Sequence, residues 1–319
     1  MQIKLKPLAE QVVVITGASS GIGLATARMA AGRGARVVLV SRDDEDLAHA
    51  SQEIQDLGGR ASHYVADVAD AGAVQGLARH VVSEFGRIDT WVNNAGVSVY
   101  GPIEEVPVED ARRLFDTNYW GVVNGSLAAL PHLRSEGGAL INVGSMLSDT
   151  GYPLQGHYTA SKFAVKGFTD SLRLEVEDSE APVSITLIQP SAIDTPYPVH
   201  ARSYLGIEPK HLPPVYAPEI VAEAILHCAV EPERNVPVGG SGKAFTRAAP
   251  SEGQISDLPA RDQDTLYAPR PGDGRVRGDY PGRVLESSAY TAARLERGKT
   301  LLGLAVIGAG LLVANRGRA

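Results

Sequence analysis

The chain has 319 residues, 44% of them hydrophobic and 21% charged, enough for one large core or two smaller ones. Thirty basic side chains stand against 37 acidic ones, a net charge of -7, which argues against nucleic acid as a partner. Cys228 is the only cysteine, so no intramolecular disulfide can form; the expectation is a cytoplasmic protein, and the opening MQIKLKPLAEQ lacks the apolar run of a secretory signal.

A first strand, VVVIT (12–16), runs into the glycine-rich turn TGASSGIG (16–23), which opens a helix at GLATARMAAGRG. Glycines at that junction let backbone approach a pyrophosphate, which rests on the positive end of the helix. Further strands are read at RVVLVS (36–41), ASHYVADV (61–68), IDTWVNNA (88–95), ALINVGS (139–145) and VSITLIQP (183–190), with a short seventh at NVPVGG (235–240). Stretches of helical period such as AVQGLARHVVSEFG separate them. Several strands are nearly all apolar, as expected of strands covered on both faces. The alternation predicts an α/β fold: a single doubly wound parallel-sheet Rossmann domain of about seven strands, helices on both faces, over residues 1–245.

Beyond residue 245 the pattern dissolves. Residues 246–288 hold five prolines, five glycines and 13 charged side chains, and are read as an irregular linker. Residues 289–319 are expected to form a terminal apolar helix around TLLGLAVIGAGLLVAN (300–315), with Arg294, Arg297 and Lys299 before it and Arg316 and Arg318 after. Sixteen helical residues reach about 24 Å, short of the ~30 Å hydrocarbon core, so the segment could span a thinned bilayer, lie at the cytoplasmic membrane face or pack on protein; the basic flanks favour membrane attachment.

The stretch HYTASKFAVKG (157–167) places Tyr158 and Lys162 on one helical face. A tyrosine hydroxyl ordinarily titrates near ~10. A neighbouring ammonium lowers that value, so the pair suggests a proton donor usable near neutral pH. His157 reads as local structure, and His200 and His211 lack partners at metal-ligand spacing, so no metal site is expected.

TGASSGIG, Asp67 with Val68, NNAG (93–96), Asn118, Ser145 and YTASK (158–162), taken in order over roughly residues 10–240, resemble the short-chain dehydrogenase/reductase superfamily. The resemblance implies a catalytic group of Asn118, Ser145, Tyr158 and Lys162. It implies cofactor contacts from Gly17, Ser19, Ser20, Gly21, Ile22 and Gly23, from Asp67 and Val68 at the adenine, and from Asn94, Ala95 and Gly96 along the ribose. Tyr158 and Lys162 would also touch the cofactor, and Pro190, Ile193 and Thr195, within PSAIDTP, would border the nicotinamide. The second strand ends in Ser41 where an acid would repel a 2'-phosphate, and Arg42 follows; NADP(H) is therefore favoured over NAD(H).

The expected reaction interconverts a carbonyl and an alcohol, in the direction of NADPH-dependent reduction of a lipophilic ketone or aldehyde. That substrate class rests on Met146, Leu147, Tyr152 and Leu154 near Ser145 and on a variable segment bearing Tyr197, Tyr204, Leu205, Ile207, Leu212, Val215 and Tyr216. The rival reading is an NADP(H)-binding regulatory or scaffolding protein without turnover. Homo-oligomers are expected, since the resemblance implies pairing through the helices around Asn118 and Tyr158.

Overall fold

A computed structural model describes residues 3–240, 254–261, 263–270 and 272–295. Seven parallel strands form the central sheet: β1 (Val12–Thr16), β2 (Arg36–Ser41), β3 (Arg60–Val65), β4 (Thr90–Asn93), β5 (Gly138–Val143), β6 (Val183–Pro190) and β7 (Asn235–Val238). Their order across the sheet is β3-β2-β1-β4-β5-β6-β7. The order reverses between β1 and β4, and in such sheets ligands bind outside the carboxyl ends of the strands at that switch point.

Strand alternation sends side chains to both faces, and both are covered. Val13, Ile15, Val37 and Leu39 meet helices α1 (Gly21–Gly32) and α2 (Asp44–Asp56) on one side. Val12, Val14, Val38 and Val40 meet α3 (Ala71–Phe85) on the other. Helix α4 (Val108–Phe115) leads through a π-helical turn (Asp116–Trp120) into α5 (Gly121–Glu136). Then come α6 (Gly156–Asp178), carrying Tyr158 and Lys162, and α7 (Pro218–Cys228), which joins the first face. Local chemistry sets the helix starts: Asp43 accepts from the Asp46 N–H at the head of α2, and Asp70 accepts from Gly72 and Ala73 at the head of α3. Gly86, at φ 77°, ends α3 in the left-handed conformation.

The strands read from sequence at 12–16, 36–41 and 183–190 have those bounds. The third ends at Val65 instead of Val68, because Ala66 onward turns toward the cleft, where Asp67 accepts from the Ala69 N–H. Residues 254–295 are irregular over most of their length and run back across the Rossmann body. Short pairings hold them: Ile255–Pro259 lies antiparallel to Ile207–Pro209, and Val284–Leu285 pairs with Val215–Tyr216. They end in α8 (Ala289–Leu295), beside β7. The apolar segment 300–315 lies outside the described residues. Among the described residues no helix is long and apolar enough to cross a membrane.

Candidate active site

Ser145 follows β5, and its Oγ accepts from the Leu147 N–H at 3.0 Å, fixing it as the cap of a single helical turn. Tyr158 stands two residues inside α6, its hydroxyl between those of Ser145 and Tyr197. One turn on, Lys162 is 4% exposed; its Nζ donates to the Val143 carbonyl at 3.0 Å and sits 5.7 Å from the Tyr158 ring centroid. Asn118 occupies the π-helical turn, fully buried, exchanging hydrogen bonds with the backbone of Val97 at 2.8 and 2.9 Å and donating to Ser161 Oγ at 3.1 Å. A π-turn widens the helix locally and commonly marks a functional site. It carries Asn118 to the strand-end loop that also holds Gly96, whose Cβ position is 3.8 Å from Lys162 Nζ.

Burial raises the Tyr158 hydroxyl above its ordinary value, with Ser145 and Tyr197 working in the opposite sense. That direction corrects the lowering expected from Lys162. Desolvation sets the direction here, and the ammonium points at a carbonyl and the ring face rather than at the hydroxyl. Burial also lowers Lys162 to about 8, close to neutrality.

At the other end of the cleft, Gly17 (φ +65°) and Gly23 build the floor. A Cβ on Gly17 would stand 2.7 Å from Ala95 Cα, and one on Gly23 would stand 2.1 Å from the Gly17 carbonyl oxygen. Only glycine lets these turns nest so closely. The resulting backbone-walled cradle at the head of α1 suits a dinucleotide. Asn94 Nδ2 ties it to β1 by donating to the Thr16 and Gly17 carbonyls at 2.9 and 3.1 Å. A hollow of about 200 Å³ above it is lined by Gly17, Ser19, Ser20, Gly21, Ile22, Arg42, Asp67, Val68, Asn94, Ala95, Gly96 and Thr195. A second, of about 230 Å³, is lined by Ser145, Tyr158, Lys162, Pro190 and Ile193 among others. The two share Ile22, Asn94, Gly96, Thr195 and Tyr197 and so form one continuous cleft, bordered by the sequence-predicted residues except Gly23 and Asn118, which line neither hollow.

The sequence profile of the short chain dehydrogenase family matches residues 11–204. The chain belongs to that family. The enzyme is thus an oxidoreductase that binds a nicotinamide cofactor and acts on CH–OH donors. It is 51% identical over 247 residues to "Uncharacterized oxidoreductase YxnA" of Bacillus subtilis, covering 76% of this chain and 69% of that one. Over 186 residues it is 37% identical to a 3-ketodihydrosphingosine reductase of Bacteroides thetaiotaomicron, 58% of this chain and 65% of that one. Among solved structures it resembles an alcohol dehydrogenase of Thermococcus sibiricus complexed with 5-hydroxy-NADP (TM-score 0.63, 27% identity, 72% of this chain and 95% of that one). It also resembles a family member from Burkholderia phymatum in complex with NAD (TM-score 0.69, 25% identity, 76% and 94%).

Several contacts of the cleft escape sequence reasoning. Asp67 meets Arg113 of α4 at 2.5 Å; against burial, which raises it, the Ala69 N–H and Arg113 hold its carboxyl below the usual range. Arg42, singled out for a 2'-phosphate, lines the cleft but donates to the carbonyls of Thr265 (2.5 Å) and Tyr267 (3.0 Å) and stands 4.0 Å from Asp67. Tyr197 forms an edge contact with Tyr158, ring centroids 5.6 Å apart, and its hydroxyl donates to Ser98 Oγ or Gln155 Oε1, at 2.8 and 3.0 Å. His211 stacks on Tyr197, and burial lowers it to about 4, so its imidazole is neutral at physiological pH. His200 pairs with Asp273 at 2.8 Å, a partner 73 positions away that no local spacing announces.

Proposed function

We propose that the enzyme reduces a lipophilic ketone or aldehyde to the alcohol, with NADPH preferred over NADH. What carries the reading is the convergence of Ser145, Tyr158 and Lys162 on a hollow also lined by Tyr100, Met146, Leu147, Tyr152, Leu212 and Pro213, with Gln155, Lys210 and Gln254 as polar members. Such a wall favours an apolar substrate body, with the reacting oxygen at the polar inner end. When bound, the nicotinamide cofactor supplies the hydride. Tyr158 supplies the proton to the substrate oxygen, and Ser145 Oγ hydrogen-bonds that oxygen as charge builds on it. Burial keeps the Tyr158 hydroxyl protonated at neutral pH, the form that a reduction consumes. Lys162, near neutrality and beside the ring, is suited to return the proton, and Asn118 holds the loop around it.

The NADPH preference is supported by Ser41 and Arg42 at the end of β2, which line the hollow together with Asp43, Asp46 and Asp67. Pairing into homo-oligomers through α5 and α6 is supported by Trp120, Leu127, Phe163 and Leu174, large apolar side chains that are 45–60% exposed there. The sequence of residues 300–315 supports contact with a membrane face. A chain ending at residue 290 that partitions with vesicles as strongly as the full chain would remove that idea.

The test is NADPH oxidation followed at 340 nm against carbonyls from small ketones to long-chain aldehydes, with Tyr158→Phe as control. Wild type should favour apolar substrates, and the variant should lose roughly 10²–10⁴-fold in turnover while its cofactor affinity stays unchanged. Turnover that survives Tyr158→Phe would overturn the assignment of the proton donor.

A further inference from the structure

Residues 264–270 and 272–280 cross the mouth of the adenosine end of the cleft. One edge is anchored on α4 and the loops beside it. Leu266 is fully buried in a cluster with Val97, Val99 and Leu114. Arg113 Nε donates to the Leu266 carbonyl at 3.1 Å, the Tyr267 hydroxyl donates to Asp110 at 2.8 Å, and Arg202 bridges Asp110 and Asp264 at 2.8 and 2.7 Å. The other edge is anchored on the glycine-rich turn. The Gly21 N–H donates to the Arg275 carbonyl at 2.9 Å, and the Gly278 N–H to the Asp194 carbonyl at 3.3 Å. Between these anchors, Thr265, Pro269, Arg270 and Asp273 form part of the cleft wall.

Among the described residues of this crossing, Arg270 is the cation held only by long contacts. Its nearest partners are the Val199 carbonyl at 3.5 Å and Asp273 at 3.7 Å. Asp273 is already held more closely, by His200 and by Arg275, both at 2.8 Å. Arg42, by contrast, spends its guanidinium on the carbonyls of the crossing itself. Arg270 lies over the segment Thr195–His200, on the side where the crossing meets the head of α1. Thr195 opens that segment 3.3 Å from the Cβ position of Gly21, so a pyrophosphate on the head of α1 would lie beside it.

The geometry points to residues 264–270 and 272–280 as a strap that closes over the cofactor, with Arg270 ion-pairing to its pyrophosphate. The strap must lift at one edge for the cofactor to exchange. This rests on the binding of a nicotinamide dinucleotide and not on the substrate class. Arg270 is a binding residue here and takes no part in proton transfer.

The test is equilibrium binding to the full chain without substrate, read by the fluorescence of NADPH and of NADH, for wild type, Arg270→Gln and Arg270→Lys. A charge-assisted contact to phosphate predicts a Kd weakened about tenfold for both cofactors in Arg270→Gln, and by less in Arg270→Lys. Hydrogen exchange should show residues 264–280 protected on cofactor binding in wild type, and less so in Arg270→Gln. An unchanged Kd would overturn the proposal. So would tighter binding, which would make the strap a competitor of the cofactor, and so would a loss confined to NADPH, which would put Arg270 on the ribose phosphate. Because the readout needs no turnover, failure of the reductase reading and failure of the strap are told apart.

Discussion

At the nicotinamide end of the cleft, the side chains proposed to react come from the repeating strand–helix units: Ser145 after β5, Tyr158 and Lys162 on α6, Asn118 ahead of α5. At the adenosine end, part of the wall comes from residues more than two hundred positions beyond the glycine-rich turn, and side-chain bonds to backbone carbonyls hold much of it. The first end is built from elements whose own burial fixes them. The second is completed by chain with little core of its own; Leu266 is its one fully buried hydrophobic side chain among the described residues of 254–295. A catalytic centre thus sits on the cooperative core, while the cover of the cofactor is free to open at lower cost.

Two equally buried leucines sharpen that contrast most. Leu140 of β5 and Leu266 of the strap are both fully buried. Leu140→Ala should lower global stability in urea by about 2–5 kcal/mol. Leu266→Ala should barely move the urea midpoint, yet raise hydrogen exchange across residues 264–280 and weaken cofactor binding. Similar midpoint losses in the two variants would mean that the strap unfolds with the body and is no separate unit.

A second effect of comparable size belongs to the catalytic end. Lys162 has its pKa lowered by burial from 10.5 to about 8. The unfolded chain therefore holds more protons than the folded one between pH 8 and 10.5, so this group makes stability rise with pH across that window. Below pH 8 its full cost, roughly 3 kcal/mol, is present. Lys162→Met should accordingly be more stable than wild type at pH 7, by at most about that amount, while losing turnover. The gap should close as pH climbs from 8 to 10.5; a gap that persists would mean the ammonium is not what burial penalises.

The smallest expected effect concerns cofactor choice. Arg42→Asp should lower the ratio of NADPH to NADH affinity by about tenfold, and binding titrations with both cofactors read it directly. Since Arg42 also holds the Thr265 and Tyr267 carbonyls, both affinities should drop together to some extent. An unchanged ratio would show that its role is to seat the strap alone.

Much of the catalytic end is legible in the residues because it is local. Tyr158 and Lys162 are one helical turn apart, and the strand bounds at 12–16, 36–41 and 183–190 follow from apolar runs that no other element can satisfy. What escapes is long-range. Arg113 reaching Asp67, Tyr197 meeting Tyr158 and Asp273 pairing with His200 join positions whose separation is set by the packing of whole elements. The direction of the Tyr158 shift escapes for the same reason: spacing shows a neighbouring cation but not how much water burial removes from the hydroxyl.

By itself the sequence determined the seven-stranded doubly wound sheet, the glycine-rich turn after the first strand and the placing of Tyr158 and Lys162 on one helical face. Each of these depends on periodicity or on residue types a few positions apart. Only the tertiary structure decided what lies over that floor. The segment 264–280 has no periodicity of its own, and its place comes from carbonyls and carboxylates meeting arginines supplied by distant parts of the fold.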